Sequence, residues 1–447
     1  MGYNCSVMRI SVKNFGPIRE AKDVHISPLT LFVGPSNTGK TYLAMALQAA
    51  IEAANVPYFL TAAAMNRLKI SDTEAKKHIA KWRELVQDEW KKKIIYYLGE
   101  EGENIVKSRN MSATISSDDG SIVIDLCRLK NNHIDPVRLK SMVANAKKRS
   151  SYSPHAAKPT AHPKLSGWVS FGLIGEVSSL LCGNLEKEIY CLPAVRSGIM
   201  KSYRLITDQS LRSVAEFDVR SENASPMISG VFSDCARQLI GISKNGRSGK
   251  EIIAINKILE SNILRGRINV IFHDIGLPEF RYAMKGKKSD MAINNVSASV
   301  AELAPLSVFM QYCLSRNDFF ILEEPETGLH PLAQQDVADI MVRLVNAGVF
   351  VLATTHSDVV LAQIGNAYRA SQFKNAGKGK KLLGGDHKPL DKRKELAVYS
   401  FAESSQGTKV EKIDFGHITG AMTEDHLDAA RSLYNKTVRL VNGKNNE

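Results

Sequence analysis

A glycine-containing segment near the amino terminus has residue types and spacing suited to holding phosphate groups. It follows the pattern G-x-x-x-x-G-K-T over Gly34–Thr41. Glycines let backbone N–H groups turn towards phosphate oxygens, and the positive end of a following helix adds to the attraction. Lys40 would bridge the β- and γ-phosphates of ATP, and the Thr41 hydroxyl would ligate Mg²⁺. The residues predicted to bind nucleotide are Gly34, Pro35, Ser36, Asn37, Thr38, Gly39, Lys40 and Thr41.

A pair of carboxylates lies much further along the chain, at the end of a short apolar run. Phe319–Leu322 predicts a buried strand, and Glu323 and Glu324 follow it directly. Glu323 would hold Mg²⁺ directly or through water, while Glu324 would orient and polarise the attacking water as a general base. Alone such a pair is a weak signal. It becomes a strong one because Lys40 lies in the same chain.

A histidine follows another apolar run, Val349–Thr355. In an open α/β sheet, ligands bind beyond the carboxyl ends of the strands. His356 could therefore contact the γ-phosphate or hold the water beside Glu324. A lone histidine here would more often be an ordinary polar strand end. The neighbouring motifs favour the functional interpretation, with Lys40, Glu324 and His356 as the catalytic residues.

The elements that must position these residues alternate between strands and helices. Residues 8–14 and Val24–Val33 predict strands, the second running straight into the phosphate loop, and an apolar stripe after it predicts a helix. Helix 332–346, the strand before His356 and a helix after it complete a βαβ alternation. Further predictions are helical segments over 61–98 and 205–264, a hairpin at Asp119-Gly120, a loop over 374–394, and edge strands at Ala397–Ala402 and Val410–Phe415.

The composition excludes several classes of protein. The chain has 447 residues, of which 44% are hydrophobic and 23% charged, values ordinary for a globular protein large enough for two lobes. No apolar run reaches the roughly 18 residues of a membrane span, and Arg9 and Lys13 argue against a secretory signal. The six cysteines are scattered, which favours free thiols in the cytoplasm. They are Cys5, Cys127, Cys182, Cys191, Cys235 and Cys313.

The net charge of +13 is concentrated in two basic stretches, 138–164 and 369–394. One interpretation is contact with the phosphates of a nucleic acid. The other is a solvated loop rich in lysine. Neither stretch interleaves aromatic residues for base stacking, so both interpretations stay open.

Several segments together resemble a known family. F-F-I-L-E-E-P-E-T-G-L-H-P over Phe319–Pro331 and T-T-H-S-D over Thr354–Asp358 resemble the ABC-ATPase branch that includes SMC and RecF proteins. More closely, they are similar to the ATPase domains of overcoming-lysogenisation-defect (OLD) nucleases and their stand-alone relatives. The phosphate loop fits the same group, and so does the segment 190–197, which contains L-P-A-V-R ending at Arg196.

The resemblance implies a homodimer or higher homo-oligomer. In such proteins each nucleotide lies between one subunit's phosphate loop and the signature helix of the other. The candidate signature segment is Ser297–Leu303, with Ser297 and Ser299 as nucleotide contacts, although it lacks the usual glycine. Glu326, Leu329 and His330 would lie in the loop joining the two sites. Arg196 would be either a phosphate sensor or part of a structural salt bridge.

The motifs and the resemblance predict an α/β fold, an ABC-ATPase head with a mixed sheet and an inserted, mainly helical lobe. Residues 1–60 and 266–370 would form the two halves of the head. Residues 61–265 would be the largely helical insertion with a small hairpin, and residues 371–447 would add a basic loop, edge strands and a terminal helix.

Three hypotheses describe the use of ATP. The first is a slow ATPase that acts as a scaffold or sensor for a separate nuclease or toxin in anti-phage defence. It rests on resemblance to the stand-alone ATPase subunits of two-gene systems such as Septu and PARIS, because no clustered carboxylates follow His356. The second is a RecF-like DNA-repair or clamp ATPase, which the basic stretches would serve. The third is a scaffold that binds nucleotide with little turnover.

Overall fold

The structure is a computed structural model. It describes residues 8–55, 72–128, 133–137, 141, 188–203, 230–273, 277–287, 289–384 and 386–413. The first basic stretch, 138–164, lies outside these residues except for Ser141, and the predicted terminal helix lies outside them entirely.

An 11-stranded mixed sheet dominates the described part of the chain. Its strands in chain order are β1 Arg9–Phe15, β2 Ile18–His25, β3 Leu29–Val33, β4 Ser112–Ser116, β5 Ile122–Asp125, β6 His133–Ile134, β7 Ile189–Leu192, β11 Phe319–Glu323, β12 Phe350–Thr355, β13 Leu396–Ala402 and β14 Thr408–Ile413. Across the sheet the order is β6-β5-β4-β1-β2-β14-β13-β3-β12-β11-β7. A smaller sheet holds β8 Gly266–Ile271, β9 Glu279–Met284 and β10 Met291–Ala292.

Helices lie on both faces of the large sheet. They are α1 Lys40–Ala54, α2 Asp72–Leu98, α3 Glu100–Lys107, α4 Gly230–Ile240, α5 Lys250–Leu259, α6 Ala298–Tyr312, α7 Pro331–Asn346, α8 Asp358–Ser371 and α9 Ala376–Leu383. Residues 196–203 are also helical. A π-helical turn, Glu260–Leu264, follows α5, and a short 3₁₀ turn, Ile293–Asn295, precedes α6.

The hydrophobic core has two layers, one on each side of the sheet. Along β11, Phe319 and Ile321 pack with α1 and α2, while Phe320 and Leu322 pack with α6, α7 and α8. Strands that are apolar on both faces are typical of the covered, parallel centre of an α/β sheet. The predicted α/β class and mixed sheet are therefore confirmed.

The prediction of a single strand over Val24–Val33 was wrong in detail. Val24–Val33 is not one strand: β2 ends at His25, a turn follows, and β3 begins at Leu29. The turn is closed by the Thr30 hydroxyl, which accepts a hydrogen bond from the Ser27 amide at 2.9 Å.

The last two described strands are internal, not at an edge as predicted. β13 pairs in parallel with β3, and β14 pairs in parallel with β2. One face of β14 is exposed: Thr408 and Val410 are buried while Lys409 and Glu411 are exposed. A half-exposed face does not mean an unpaired backbone.

The predicted loop 374–394 contains a helix, α9. Asn375 caps its first turn by accepting a hydrogen bond from the Lys378 amide at 3.2 Å. Glycine disfavours helices, so the presence of Gly377 and Gly379 in this segment argued for a loop. Gly379 lies against the Ala370 carbonyl of α8, where a Cβ atom would clash. Close packing between α8 and α9 therefore requires this glycine.

The predicted insertion shares the core of the head. α2 packs on α1, where Trp90 is fully buried and donates from its indole nitrogen to the Ala46 carbonyl at 3.1 Å. The predicted hairpin at Asp119-Gly120 joins β4 and β5, which extend the sheet next to β1. β7 lies at the opposite edge, beside β11. The boundaries of 61–265 as a separate lobe stay a prediction.

Among the helices that the structure describes, none is long and apolar enough to cross a membrane. Four described cysteines are free thiols: Cys127, Cys191, Cys235 and Cys313. Burial raises the pKa of Cys127 to about 11 and that of Cys313 to about 12. These thiols stay protonated at neutral pH and are poor nucleophiles.

Candidate active site

Four parallel strands end at the same edge of the sheet, and all predicted catalytic residues follow them. β3 pairs in parallel with β12, β12 with β11, and β11 with β7. Because parallel strands point the same way, the segments after them emerge together. The phosphate loop follows β3, His356 follows β12, and Glu324 follows β11. The sheet thus brings together residues that are far apart in the chain.

The phosphate loop has a backbone that requires glycine at two positions. Gly34 has φ 144° and Gly39 has φ 92°, both unfavourable for residues with a Cβ atom. A Cβ at Gly34 would lie 2.6 Å from the Phe401 carbonyl oxygen, and one at Gly39 would lie 2.7 Å from Cγ1 of Ile18. The loop is therefore pressed against β13 on one side and β2 on the other.

Lys40, the first residue of α1, is buried and points back along the loop. Its Nζ donates to the Gly34 carbonyl at 2.8 Å and to the Pro35 carbonyl at 2.5 Å. Burial lowers the pKa of Lys40, while the charges of Glu324 and Glu326 oppose that shift. The lysine is thus positioned between the loop and the carboxylates. The remaining loop side chains differ in exposure, with Thr38 buried and Ser36 and Asn37 exposed.

Glu323 is buried at the end of β11. Burial raises the pKa of its carboxyl to about 7, and hydrogen bonds with the Ala194 backbone and the Thr41 side chain partly offset that effect. Thr41 and Glu323 are therefore neighbours, as the sequence predicted for two metal ligands. Within the described residues, Oε1 of Glu323 has no hydrogen-bond partner.

Glu324 has an unusual backbone. Its φ of 43° is left-handed, a conformation that costs a non-glycine residue on the order of 1–3 kcal/mol. Its amide donates to the Thr354 carbonyl at 2.9 Å, which ties the residue to the neighbouring strand. Its side chain is 28% exposed. The twist turns the carboxylate of Glu324 towards solvent, whereas that of Glu323 stays buried.

Glu326 lies inside the site, whereas the resemblance had placed it only in the loop joining the two sites. It is only 4% exposed, and its Oε1 accepts from the Thr355 hydroxyl at 2.6 Å and from the His356 amide at 3.0 Å. Its Oε2 has no hydrogen-bond partner among the residues described. The signal available in the sequence was a third glutamate two residues after the predicted pair.

His356 lies beside the carboxylates, as predicted. Its Nδ1 is 3.5 Å from Oε1 of Glu324 and 3.7 Å from Oε1 of Glu326, and its side chain is 46% exposed. Beside these groups is an open cavity of about 490 Å³. The cavity is lined by Glu324, Glu326, Thr327, Gly328, Leu329, Gln334, His356 and Ser357.

The donor set fits a divalent cation such as Mg²⁺. Two buried carboxylate oxygens, Oε1 of Glu323 and Oε2 of Glu326, lack a hydrogen-bond partner in the described part of the chain. Carboxylate and hydroxyl oxygens are the hard ligands that Mg²⁺ prefers, usually together with several waters and phosphate oxygens. The described residues hold no group of three or more His, Cys, Asp or Glu side chains arranged to bind a metal by themselves.

The two predicted signature serines engage their own chain. Ser297 caps α6 by accepting a hydrogen bond from the Val300 amide at 3.4 Å. The hydroxyl of Ser299 donates to the Gly328 carbonyl at 2.9 Å, in the loop that follows β11. The start of α6 is thus attached to the loop that follows β11. The contacts of Ser297 and Ser299 with nucleotide stay a prediction.

Arg196 is buried, with 2% of its surface exposed. Its Nε lies 3.5 Å from Oε2 of Glu302. Of the two roles that the sequence left open, the structural salt bridge agrees with this environment.

A family model described as an AAA ATPase domain matches residues 7–160 and 209–361. No curated protein matches the chain by sequence. Solved structures of SMC heads align with this chain over most of their length, but their TM-scores are low. The SMC head bound to the C-winged helix domain of ScpA covers 92% of this chain and 98% of its own, at 13% identity and a TM-score of 0.38. The SMC head domain from Thermotoga maritima covers 92% and 99%, at 13% identity and a TM-score of 0.35. Such low scores carry no information about activity.

Proposed function

The chain belongs to the AAA ATPase domain family, and on that premise we propose that it binds and hydrolyses ATP where β3, β11 and β12 end. One observation carries the proposal: the parallel strands bring the phosphate loop, the Glu323-Glu324 pair and His356 to one edge of the sheet. The influence of Glu324 and Glu326 on the pKa of Lys40 supports it, because it requires the two halves of the site to be close.

Each group has a defined part in this function. The amides of Gly34–Thr41 and the start of α1 bind the phosphates, and Lys40 bridges the β- and γ-phosphates. Mg²⁺ held by Thr41 and Glu323 would neutralise charge on the β- and γ-phosphates. Glu324 accepts the proton of the attacking water as general base. His356 holds Glu324 and the water in place from the neighbouring strand.

Phosphate release from ATP tests the proposal. The purified chain should release phosphate with ATP and Mg²⁺ but not in the presence of a chelator. Lys40→Ala should abolish the release without unfolding the protein, which circular dichroism can check. Equal release by wild type and Lys40→Ala would show that another site, or a contaminant, is responsible.

The proposed assembly is a homodimer or higher homo-oligomer in which α6 of one subunit, through Ser297 and Ser299, faces the nucleotide of another. The resemblance to dimeric ATPases of the ABC type supports it. Multi-angle light scattering of Glu324→Gln should show a larger species with ATP than without it. Lys40→Ala is the matched control and should show no change on adding ATP. An unchanged mass for Glu324→Gln would contradict the assembly.

The proposed use of the ATPase is as a nucleotide-switched scaffold for a separate nuclease or toxin in anti-phage defence. The resemblance to stand-alone OLD-like ATPases supports this role. Glu324→Gln isolated from its native host should retain such an effector in the ATP state, and Lys40→Ala should not. Recovery of no nuclease or toxin with either variant would count against the role while leaving ATP hydrolysis intact.

A second candidate function, DNA binding by a RecF-like ATPase, is favoured by a basic cavity of about 660 Å³. Its lining includes Lys392, Arg393, Lys394 and Lys412, with Glu395 as the acidic member. It is therefore suited to phosphate groups. The full lining is Tyr368, Gln372, Lys392, Arg393, Lys394, Glu395, Leu396, Lys412 and Ile413.

Charge reversal tests the DNA-binding candidate. Wild-type protein should bind duplex DNA with an affinity that falls steeply as salt rises. Lys394→Glu combined with Lys412→Glu should weaken that binding. A control that reverses two lysines on α5, Lys250→Glu with Lys257→Glu, should bind as wild type does. Equal loss in both double variants would indicate only a general effect of net charge.

A further inference from the structure

The side chain of Arg196 donates to four backbone carbonyls around the site, one of them the carbonyl of Pro193 in its own segment. Its Nη1 donates to the Glu323 carbonyl at 2.6 Å, its Nη2 donates to the Glu324 carbonyl at 3.2 Å, and its Nε donates to the Glu302 carbonyl at 3.0 Å. The guanidinium has a planar fork of N–H donors, so one side chain can fix several acceptors at once. It therefore joins α6 to the end of β11.

Glu302 holds the arginine from the side of α6. Its Oε2 accepts from the Arg196 amide at 3.1 Å, and its Oε1 accepts from the Ser197 hydroxyl. Glu302 is 5% exposed, so both partners of the ion pair are removed from water. A buried arginine without its acceptors would be strongly destabilising. The pair therefore ties Arg196 to α6.

The carbonyls that Arg196 holds belong to the two residues of the predicted catalytic pair. Glu324 keeps a left-handed φ of 43°, which its surroundings must enforce. The Thr354 carbonyl fixes the Glu324 amide from the side of β12. Arg196, at the start of the helical segment 196–203, fixes the peptide carbonyls on either side of Glu324. Loss of either restraint would let the Glu324 backbone relax and turn its carboxylate away from the cavity.

We propose that Arg196 is a positioning residue, which holds the Glu324 backbone in its strained conformation and couples it through Glu302 to α6. Displacement of α6 would then be transmitted to Glu324 through this buried side chain. The inference rests on the proposed ATP hydrolysis and adds to it the residue that sets the geometry of the general base.

Arg196→Lys tests the proposal, because lysine keeps the charge but cannot hold several carbonyls in one plane. Turnover should fall by about 10- to 100-fold, as expected for a catalytic group displaced by about 1 Å. The affinity for a fluorescent ATP analogue should stay within about twofold, because the phosphate loop is untouched. Arg343→Lys, which alters a buried ion pair with Asp339 on α7, is the matched control and should leave turnover unchanged.

A double variant separates positioning from a merely structural role. If Arg196 acts through Glu324, then Arg196→Lys should cost nothing more in a protein that already carries Glu324→Gln. Glu302→Gln should lower turnover in the same direction by a smaller factor, and it keeps the proposal testable if Arg196→Lys does not fold. Wild-type turnover in either Arg196→Lys or Glu302→Gln, loss of ATP affinity in parallel with turnover, or additive effects in the double variant would overturn the proposal. No turnover in wild type would instead refute the proposed function.

Discussion

The phosphate loop, Gly34–Thr41, and the carboxylate cluster of Glu323, Glu324 and Glu326 face each other. They differ in how many hydrogen-bond partners their polar groups have. Lys40 donates to two carbonyls of its own loop, Gly34 and Pro35. Glu323 and Glu326 each keep one buried oxygen that has no hydrogen-bond partner in the described part of the chain. Lys40 is therefore satisfied within its own loop, whereas the carboxylate side keeps buried acceptor oxygens that a cation could bind. In the proposed function, the loop would supply the binding site and the carboxylates would supply the ligands for a metal.

The largest expected effect lies on the carboxylate side. Glu324→Gln removes the proposed general base while preserving the size of the side chain. Turnover should fall by about 10²- to 10⁴-fold, the usual contribution of such a base. ATP affinity should hardly change because the phosphate loop is intact. Phosphate release measures the turnover and equilibrium binding measures the ATP affinity, both on the same preparation. A loss of affinity equal to the loss of turnover would contradict the prediction.

The next effect concerns the loop. Gly34→Ala places a Cβ atom against the Phe401 carbonyl at a φ of 144°, so the loop must distort. The unfolding free energy should fall by about 1–3 kcal/mol, and ATP affinity should fall with it. Gly120→Ala is the control, since that glycine has φ 67° with nothing within 4 Å of an added Cβ. It should lower stability by about 1 kcal/mol and leave ATP affinity unchanged. Equal affinity losses would mean that the loop geometry does not matter.

The stability of the protein should depend on pH because of a group on the carboxylate side of the site. Burial raises the pKa of Glu323 to about 7, so the folded protein holds this proton more tightly than the unfolded chain does. Stability from this group is present at low pH and is lost as pH rises from the ordinary value of 4.5 towards about 7.

Melting temperatures measured without metal should therefore fall between about pH 5 and about pH 8. Mg²⁺ should raise them more at the upper end, because only the ionised carboxylate binds it. Glu323→Gln should flatten the metal-free profile and remove the response to Mg²⁺. A wild-type profile that Mg²⁺ shifts equally at both ends would argue against Glu323 as a ligand.

The smallest effect should come from His356, which contacts the carboxylates from a neighbouring strand and is half exposed. His356→Asn keeps the backbone amide that binds Glu326 and removes only the ring. Turnover should fall by less than in Glu324→Gln, with ATP affinity unchanged. A loss as large as that of Glu324→Gln would contradict this ranking and give His356 an equal part in catalysis.

The motifs on the central strands could be predicted from the sequence because local pattern and tertiary position agree there. Phe319–Leu322 is apolar at every position, and the strand is buried on both faces. The phosphate loop, the Glu323-Glu324 pair and His356 then follow from the end of each strand. The α/β class required no more than this alternation of strands and helices.

Other features could not be predicted because they depend on distant contacts. Glu326 becomes part of the site only through the Thr355 hydroxyl and the His356 amide of another strand. Arg196 owes its role to carbonyls of α6 and β11, which carry no sequence signal. The internal position of β13 and β14 likewise depends on pairing with β3 and β2. Backbone pairing and backbone acceptors are independent of side-chain identity, so patterns of residue types do not reveal them.

A crystal structure of Glu324→Gln with ATP and Mg²⁺ tests the central claim most directly, because it locates nucleotide, metal and both halves of the site at once. We expect the phosphates within the Gly34–Thr41 loop, Nζ of Lys40 on the β- and γ-phosphate oxygens, and the metal between the Thr41 hydroxyl and Glu323. Nucleotide bound elsewhere, or bound in the loop with Glu323 remote from the metal, would contradict the account.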